Sequence, residues 1–465
     1  MDDRFDVQIN AYDPSGASSR AELSAQSRAV KRFALTSAGQ PARTMLAPGP
    51  TVSLSDWAHA DVGWGLVASA NTTLPASIKD LVKERSAAVF RFIPNWERSF
   101  TYLRDEAENR DVAIAGSPRG KGPGRLPHYL MIFGGPQEVP WGIQFALAAT
   151  RAVGRLPLTG KALDTYVAAL RSDFKNAEPA SPYTTVTWAV DLGAKDISHL
   201  MRSFIADKVQ QKFLGDGEMG VERTTFLDGM KDPNLATMAR LVETLKAKRP
   251  GLIVTTSHGL TGPLTDTQRM KETLGLPVDQ FGNELQLGDL FKEWHPAGAV
   301  WYCHACCSAG AEAPSAFSQL FDEGTDLRRI LDGIAKVGPT VAPLPLALLG
   351  HARPARAFIG HVEPTFDWTL RNPGNRQVVT GPLVDAIYPN LFRVDPKVPL
   401  GQAFREVHGN VGGYLADWDN ARRVYDSGGR NIPDLMAMQL CARDLQSLVI
   451  LGDPAAVLPL RDKNG

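Results

Sequence analysis

The sequence has no excess of charge of either sign. Lys+Arg and Asp+Glu each number 50 among 465 residues, so the formal net charge is zero. A surface without net charge has no general electrostatic attraction for nucleic acid or for an anionic membrane. We therefore expect no direct nucleic-acid partner and no membrane partner.

Long apolar runs and cysteines are also scarce. No apolar run approaches the roughly 20 residues that a membrane-spanning helix needs, and Met1–Asp6 lacks the basic and then apolar pattern of a secretory signal. The hydrophobic content of 43% and the charged content of 22% are typical of a soluble globular protein. We expect a cytoplasmic protein whose 4 cysteines are reduced thiols.

A connector is predicted at Gly116–Arg125, where glycine and proline dominate and every charge is positive. The residues before it, 1–125, are predicted to form a partly flexible N-terminal extension, in which Ser77 to Phe92 has helical spacing. After it, in 126–465, apolar strands alternate with amphipathic helices. This alternation predicts an α/β fold with a mostly parallel sheet covered on both faces.

Two consecutive strands of the predicted sheet end in reactive side chains. Leu252–Thr256 is followed by His258 and Gly259, and the apolar run Ala299–Cys303 is followed by Cys306. Because ligands bind at the carboxyl ends of parallel strands, the imidazole and the thiol are expected at one sheet edge. A cysteine nucleophile needs such a base and also backbone N–H groups for an oxyanion, which Gly259 and Cys306 could supply.

The cysteine cluster has two other interpretations. Cys303, His304, Cys306 and Cys307 are residue types that bind zinc, which leaves a metal-dependent hydrolase as an alternative hypothesis. However, a strand alternates its faces and no second Cys-x-x-Cys pair exists, so we predict no metal. Cys303 and Cys441 are expected to be packed structural thiols.

These two motifs resemble those of a known family. Thr255–Gly259 and His304–Gly310, in which alanine precedes a cysteine, resemble the histidine and nucleophile motifs of the caspase-like cysteine peptidases. The details are most similar to gingipain-like and CHAT-like bacterial members. Three further segments, Tyr129–Pro140, Arg151–Pro157 and Leu451–Pro454, are similar in the same order. The resemblance covers roughly residues 126 to 460.

The resemblance implies a caspase-like three-layer sandwich with two caspase-like subdomains, whose first part is 126–180 and whose catalytic part is 181–465. It implies that Cys306 is the nucleophile and His258 the base or proton donor, with no cofactor. Cys307 takes the place of the nucleophile if the register is shifted by one residue. The function implied is a cysteine endopeptidase that acts through an acyl-enzyme intermediate.

The resemblance also indicates where a substrate side chain binds. In this family the primary pocket draws on the loop after the first catalytic strand, here Asp191 to Asp196, and on the residue two before the cysteine, here His304. A carboxylate from Asp191 or Asp196 would favour cleavage after Arg or Lys. The expected partners are a protein substrate and a regulatory protein, in a bacterial antiviral defence or cell-death pathway. The alternative is a catalytically silent caspase-like module that binds proteins.

Overall fold

The computed structural model describes residues 4–39, 52–175, 178–217, 219–392 and 397–458; part of the extension predicted to be flexible, 40–51, lies outside the described residues. The strands are β1 (Arg4–Gln8), β2 (Ala11–Tyr12), β3 (Arg20–Ser24), β4 (Trp64–Ser69), β5 (Ala88–Phe92), β6 (Tyr102–Asp105), β7 (Arg110–Ala113), β8 (Tyr129–Phe133), β9 (Ala152–Leu156), β10 (Ser181–Ala189), β11 (Thr224–Asp228), β12 (Pro250–Thr256), β13 (Gly259–Leu260), β14 (Val300–His304), β15 (Gly310–Ala311), β16 (Thr340–Val341), β17 (Ala357–His361) and β18 (Leu448–Gly452).

The α-helices are α1 (Arg28–Leu35), α2 (Ala76–Glu84), α3 (Trp141–Ala148), α4 (Gly160–Arg171), α5 (Ile197–Met201), α6 (Asp207–Leu214), α7 (Gly220–Arg223), α8 (Met238–Lys248), α9 (Thr267–Thr273), α10 (Leu287–Glu293), α11 (Asp326–Val337), α12 (Pro343–Leu349), α13 (Gly381–Asp385), α14 (Leu400–Ala403), α15 (Arg405–Asp426) and α16 (Ile432–Ser447). Short 3₁₀ and π turns complete the helical segments.

A single 12-stranded sheet organises the molecule, in the order β11-β10-β12-β14-β17-β18-β9-β8-β4-β5-β6-β7. Neighbours in this order are parallel except at β17–β18, β5–β6 and β6–β7. The predicted α/β class with a mostly parallel sheet is therefore confirmed.

Both faces of the sheet are covered. Along β12, Leu252 and Val254 pack into an apolar cluster with α5 and α14, whereas Ile253 packs on the opposite face with α8 and α12. Every residue of β12 and of β14 is buried. Strands that are buried on both faces carry continuous apolar runs instead of alternating ones, which is why these two were visible in the sequence.

The predicted boundary at residue 125 does not separate two sheets. The four strands β4 to β7 precede it, yet β4 pairs with β8 in the same sheet. Trp64 Nε1 in β4 donates a hydrogen bond to Asp453 Oδ1, just after β18, at 2.9 Å. The helix predicted over Ser77 to Phe92 is also shorter than expected, since α2 gives way to the strand β5 after Ser86 adopts a φ of 49°.

The N-terminal strands lie near the carboxyl edge of β12. β1 pairs with β3 in antiparallel orientation, and the short β2 pairs in parallel with β13, the strand that follows His258. α1 packs with α16 in a common apolar cluster. The start of the chain is thereby brought to the loops that follow β12 and β14.

None of the helices in the described part of the chain is long and apolar enough to cross a membrane.

Candidate active site

His258 lies just beyond the carboxyl end of β12 and is 4% exposed. Its Nε2 is 2.9 Å from Asp196 Oδ1, and its Nδ1 is buried without a hydrogen-bond partner among the described residues. An ionised carboxylate only accepts hydrogen bonds, so Nε2 carries the proton that Asp196 accepts. Whenever the ring is neutral, its lone pair is therefore at Nδ1, the position from which a general base accepts a proton.

Asp196 is the first residue of the turn that starts α5. Its carboxylate caps this helix by accepting from the N–H of Ser198 at 2.8 Å. Burial raises the pKa of the Asp196 carboxyl, but the hydrogen bonds and charge from His258 and the bonds from Ser198 outweigh burial and lower that pKa well below its usual value. The carboxylate is therefore ionised at neutral pH and holds the imidazole in one orientation.

Cys306 follows β14 in a tight turn and is fully buried. The N–H of Ser308 donates to the carbonyl of Ala305 at 3.2 Å, and the N–H of Gly310 donates to that of Cys307 at 3.0 Å. Cys307 itself adopts a φ of 53°, a left-handed conformation that is uncommon for a residue with a side chain. This turn sets the thiol of Cys306 at the end of the strand.

The loops after β12 and β14 touch at Gly259. A Cβ added there would overlap the carbonyl oxygen of Cys306 and lie 2.8 Å from its backbone nitrogen. Glycine is thus required for His258 and Cys306 to come this close along the backbone. The structure therefore places the two predicted catalytic residues on adjoining loops at one sheet edge.

The other two thiols of the cluster, Cys303 and Cys307, have raised pKa values. Burial raises the pKa of the Cys303 thiol to about 12. Burial, followed by the contact with Cys306 Sγ at 3.5 Å, raises the pKa of Cys307 well above its ordinary value. Both side chains are thiols instead of thiolates at neutral pH, and therefore poor nucleophiles.

The residues predicted to line a substrate pocket are engaged with other groups. Asp191 Oδ2 is 2.9 Å from His199 Nδ1, and its Oδ1 accepts from the N–H of Gly193 at 2.8 Å. His304 is 2% exposed, and its Nδ1 is 2.8 Å from the hydroxyl of Tyr302. Burial lowers the pKa of His304 to about 3, so its ring is neutral.

Two features of the site were not predicted in their observed roles. Asp196 was expected in the substrate pocket because it lies in the loop after the first catalytic strand, whereas it hydrogen-bonds His258. The N–H of Gly259 donates to the carbonyl of Asn10 at 3.1 Å, so the N-terminal segment covers the site. The alternation of the apolar Val7 and Ile9 with polar residues is a sequence signal that could have indicated a half-buried strand here. Among the described residues, no group of three or more His, Cys, Asp or Glu is placed to hold a metal ion.

A comparison with known protein families, with curated proteins and with solved structures found no match for this chain.

Proposed function

We propose that the protein is a cysteine endopeptidase with a caspase-like arrangement, in which the half of the sheet from β11 to β18 is the catalytic subdomain. One observation carries this proposal. His258 is paired through Nε2 with Asp196, keeps Nδ1 unpartnered among the described residues, and is followed by Gly259, which touches the backbone of Cys306. A base, a thiol and a backbone N–H donor thus converge at the carboxyl ends of two neighbouring strands.

The proposed mechanism uses these groups in turn. Cys306 gives its proton to Nδ1 of His258, and its thiolate attacks the carbonyl carbon of the scissile bond. The N–H groups of Gly259 and Cys306 stabilise the oxyanion. His258 then protonates the leaving amine, and Asp196 balances the charge on the imidazole. Water, activated by His258, hydrolyses the thioester and regenerates the thiol.

The test compares two adjacent cysteines. We expect Cys306→Ser to lower cleavage of a mixed peptide pool by at least about 1,000-fold and to abolish labelling by a thiol-reactive peptide chloromethyl ketone, measured by mass spectrometry. Cys307→Ser is the matched control. We expect it to retain both peptide cleavage and labelling, because the serine hydroxyl fits the same turn. Full activity in Cys306→Ser, with loss only in Cys307→Ser, would contradict the assignment.

A silent protein-binding module is the second candidate, because Cys306 is fully buried and the N–H of Gly259 is already occupied. Labelling by the chloromethyl ketone distinguishes the peptidase from the binding module. A purified chain that binds a protein partner but is neither labelled at Cys306 nor able to cleave any peptide would support the module and refute the peptidase.

A further inference from the structure

The segment Gln8–Tyr12 is held along one side by the loop after β17. The N–H of Asn10 donates to the carbonyl of Thr365 at 3.1 Å. Ile9 forms an antiparallel bridge with Phe366. These are the contacts of an extended peptide paired with a strand, which is a common way to bind a substrate or ligand chain.

The same segment is held on its other side by the loop after β12. β2 pairs in parallel with β13, and the N–H of Thr261 donates to the carbonyl of Tyr12 at 2.9 Å. β14 lies between β12 and β17 in the sheet, so the segment crosses the end of β14. Cys306, which follows β14, packs in one apolar cluster with Ile9 and Ala11.

The carbonyl of Asn10 is hydrogen-bonded to one of the two proposed oxyanion donors. It accepts the hydrogen bond of the Gly259 N–H at 3.1 Å, the donor that the proposed mechanism assigns to the oxyanion. An oxyanion donor holds the carbonyl of the residue that precedes the scissile bond. The bond that follows this carbonyl is the one between Asn10 and Ala11.

The side chain of Asn10 fills a polar pocket. It is fully buried, its Oδ1 accepts from the N–H of Thr365 at 3.0 Å, and its Nδ2 faces Met201 Sδ at 3.9 Å. The pocket thus offers a donor to the amide oxygen and a weak acceptor to the amide nitrogen. A buried aspartate would set a negative charge against the sulfur. A buried lysine or arginine would need a carboxylate, which is not among the contacts of the Asn10 side chain.

The two carboxylates expected to bind a basic side chain have other partners. Asp191 is bonded to His199. Asp196 accepts from His258 through Oδ1 and from Gln8 Nε2 through Oδ2, the latter at 3.1 Å. The Gln8 contact shows that this end of the cleft also holds the covering segment by its side chains.

The geometry points to an intramolecular substrate: Cys306 cleaves its own chain between Asn10 and Ala11, and the primary pocket accepts asparagine from extended protein segments. This inference rests on the proposed peptidase function. The thioester between Cys306 Sγ and the Asn10 carbonyl carbon forms as the C–N bond to Ala11 breaks, and His258 protonates the departing amine. Water then releases Asn10 as a free carboxylate. Until that cut, the chain covers its own cleft.

The first experiment follows the mass of the full-length chain over time after purification. The wild type is expected to lose residues 1–10 and to begin at Ala11, while Cys306→Ala stays intact. Asn10→Asp, which changes one atom of the side chain, slows the cut by at least about 10-fold because the pocket then buries a charge. Asn71→Asp, at an exposed asparagine, is the matched control. A wild-type chain that stays intact overturns the intramolecular cleavage.

The second experiment supplies peptides of the sequence Val7–Asp13 with Asn, Asp or Arg at the central position to the wild-type chain. Cleavage after Asn is expected to be at least about 100-fold faster than after Asp or Arg. Cys306-dependent cleavage after Arg alone would overturn the asparagine pocket and leave the peptidase function standing. An absence of any Cys306-dependent cleavage or labelling would overturn both.

Discussion

Asp196 joins two roles in a single side chain. The carboxylate begins α5 by accepting from the N–H of Ser198, and the same oxygen accepts from His258. Its pKa is lowered well below the usual value by these bonds in spite of burial, so its charge does not change near neutral pH. The helix start thereby fixes the direction of the imidazole.

Replacing Asp196 by asparagine separates the two roles. The asparagine side chain would still cap the helix, but its neutral amide would not balance an imidazolium. We expect Asp196→Asn to lower kcat about 100- to 10,000-fold with KM changed only a few-fold, as for other catalytic histidines that lose their carboxylate. Steady-state kinetics on a cleavable peptide measures both constants.

The control for this variant is Asp232→Asn, which changes an exposed capping aspartate that accepts from Asn234. We expect its kinetics to match the wild type. An Asp196→Asn chain with normal kcat would show that His258 does not depend on this carboxylate.

His258 and Cys306 could be predicted because each follows a buried strand, and strand ends are fixed by local sequence. The contact of Asp196 with His258 could not be predicted, since it depends on the conformation of the loop after β10. The hydrogen bond of Asn10 with Gly259 joins residues that are 259 − 10 = 249 positions apart in the sequence. No local pattern marks such a pairing, because the segment gains its partners only in the folded chain.

The sequence predicts some strands of the sheet better than others. The apolar run Tyr129–Phe133 coincides with β8, which is buried throughout. β6 and β7 were missed, because they are short, sit at the end of the sheet and include charged residues such as Arg104 and Asp111. Their antiparallel hairpin is supported by pairing with β5 and by an ion pair between these two side chains at 2.7 Å.

A buried ion pair ties α2 and β4 to the end of β18. Arg85 Nη1 lies 2.7 Å from Asp453 Oδ2, close enough for an ion pair although the N–H is not aimed at the oxygen. The guanidinium also covers the ring of Trp64 with its carbon 4.6 Å from the centroid. The Asp453 side chain is fully buried.

Removing one member of this ion pair is expected to lower the free energy of unfolding. Asp453→Ala leaves the Arg85 guanidinium and the Trp64 N–H without their partner, and we expect a loss of about 3–5 kcal/mol in the free energy of unfolding. Glu84→Ala is the matched control, because Glu84 and Arg171 join α2 to α4 through a half-exposed pair. We expect that control to cost less than about 1 kcal/mol. Denaturant unfolding of both variants, each in a Cys306→Ala background, gives the two losses in the free energy of unfolding. Equal losses would contradict the structural role of Asp453.

The whole sheet consists of two halves that run in opposite directions. β18 is antiparallel to β17 and parallel to β9, so the strands from β9 to β5 point away from the edge where β12 and β14 end. The candidate site therefore belongs to one edge of one half. The other half supports it through β18 and through the apolar cluster on one face, which contains residues of β4 and β8 together with residues of β12 and β14.

A chain that begins at residue 126 tests whether residues 1–125 are a separate extension or part of the folded core. It lacks β4 to β7, which leaves the edge of β8 unpaired and its apolar faces open to water. We expect this chain to aggregate or to lose fixed tertiary structure, measured by size-exclusion chromatography and near-UV circular dichroism. The full-length Cys306→Ala chain is the control. A soluble monomer of 126–465 with cooperative unfolding would contradict this expectation and support the predicted boundary.

The place of β18 in the sheet has a consequence for how the protein is made. Ribosomes release the chain from its N-terminus, so both halves of the sheet emerge before the strand that joins them. His258 and Cys306 are thus synthesised while the sheet is still two unconnected pieces, each with an open edge. We expect newly made chains to be most exposed to aggregation and to chaperones in that interval. This interval ends when β18 inserts between β17 and β9. The two halves can therefore join only after the ribosome has synthesised β18.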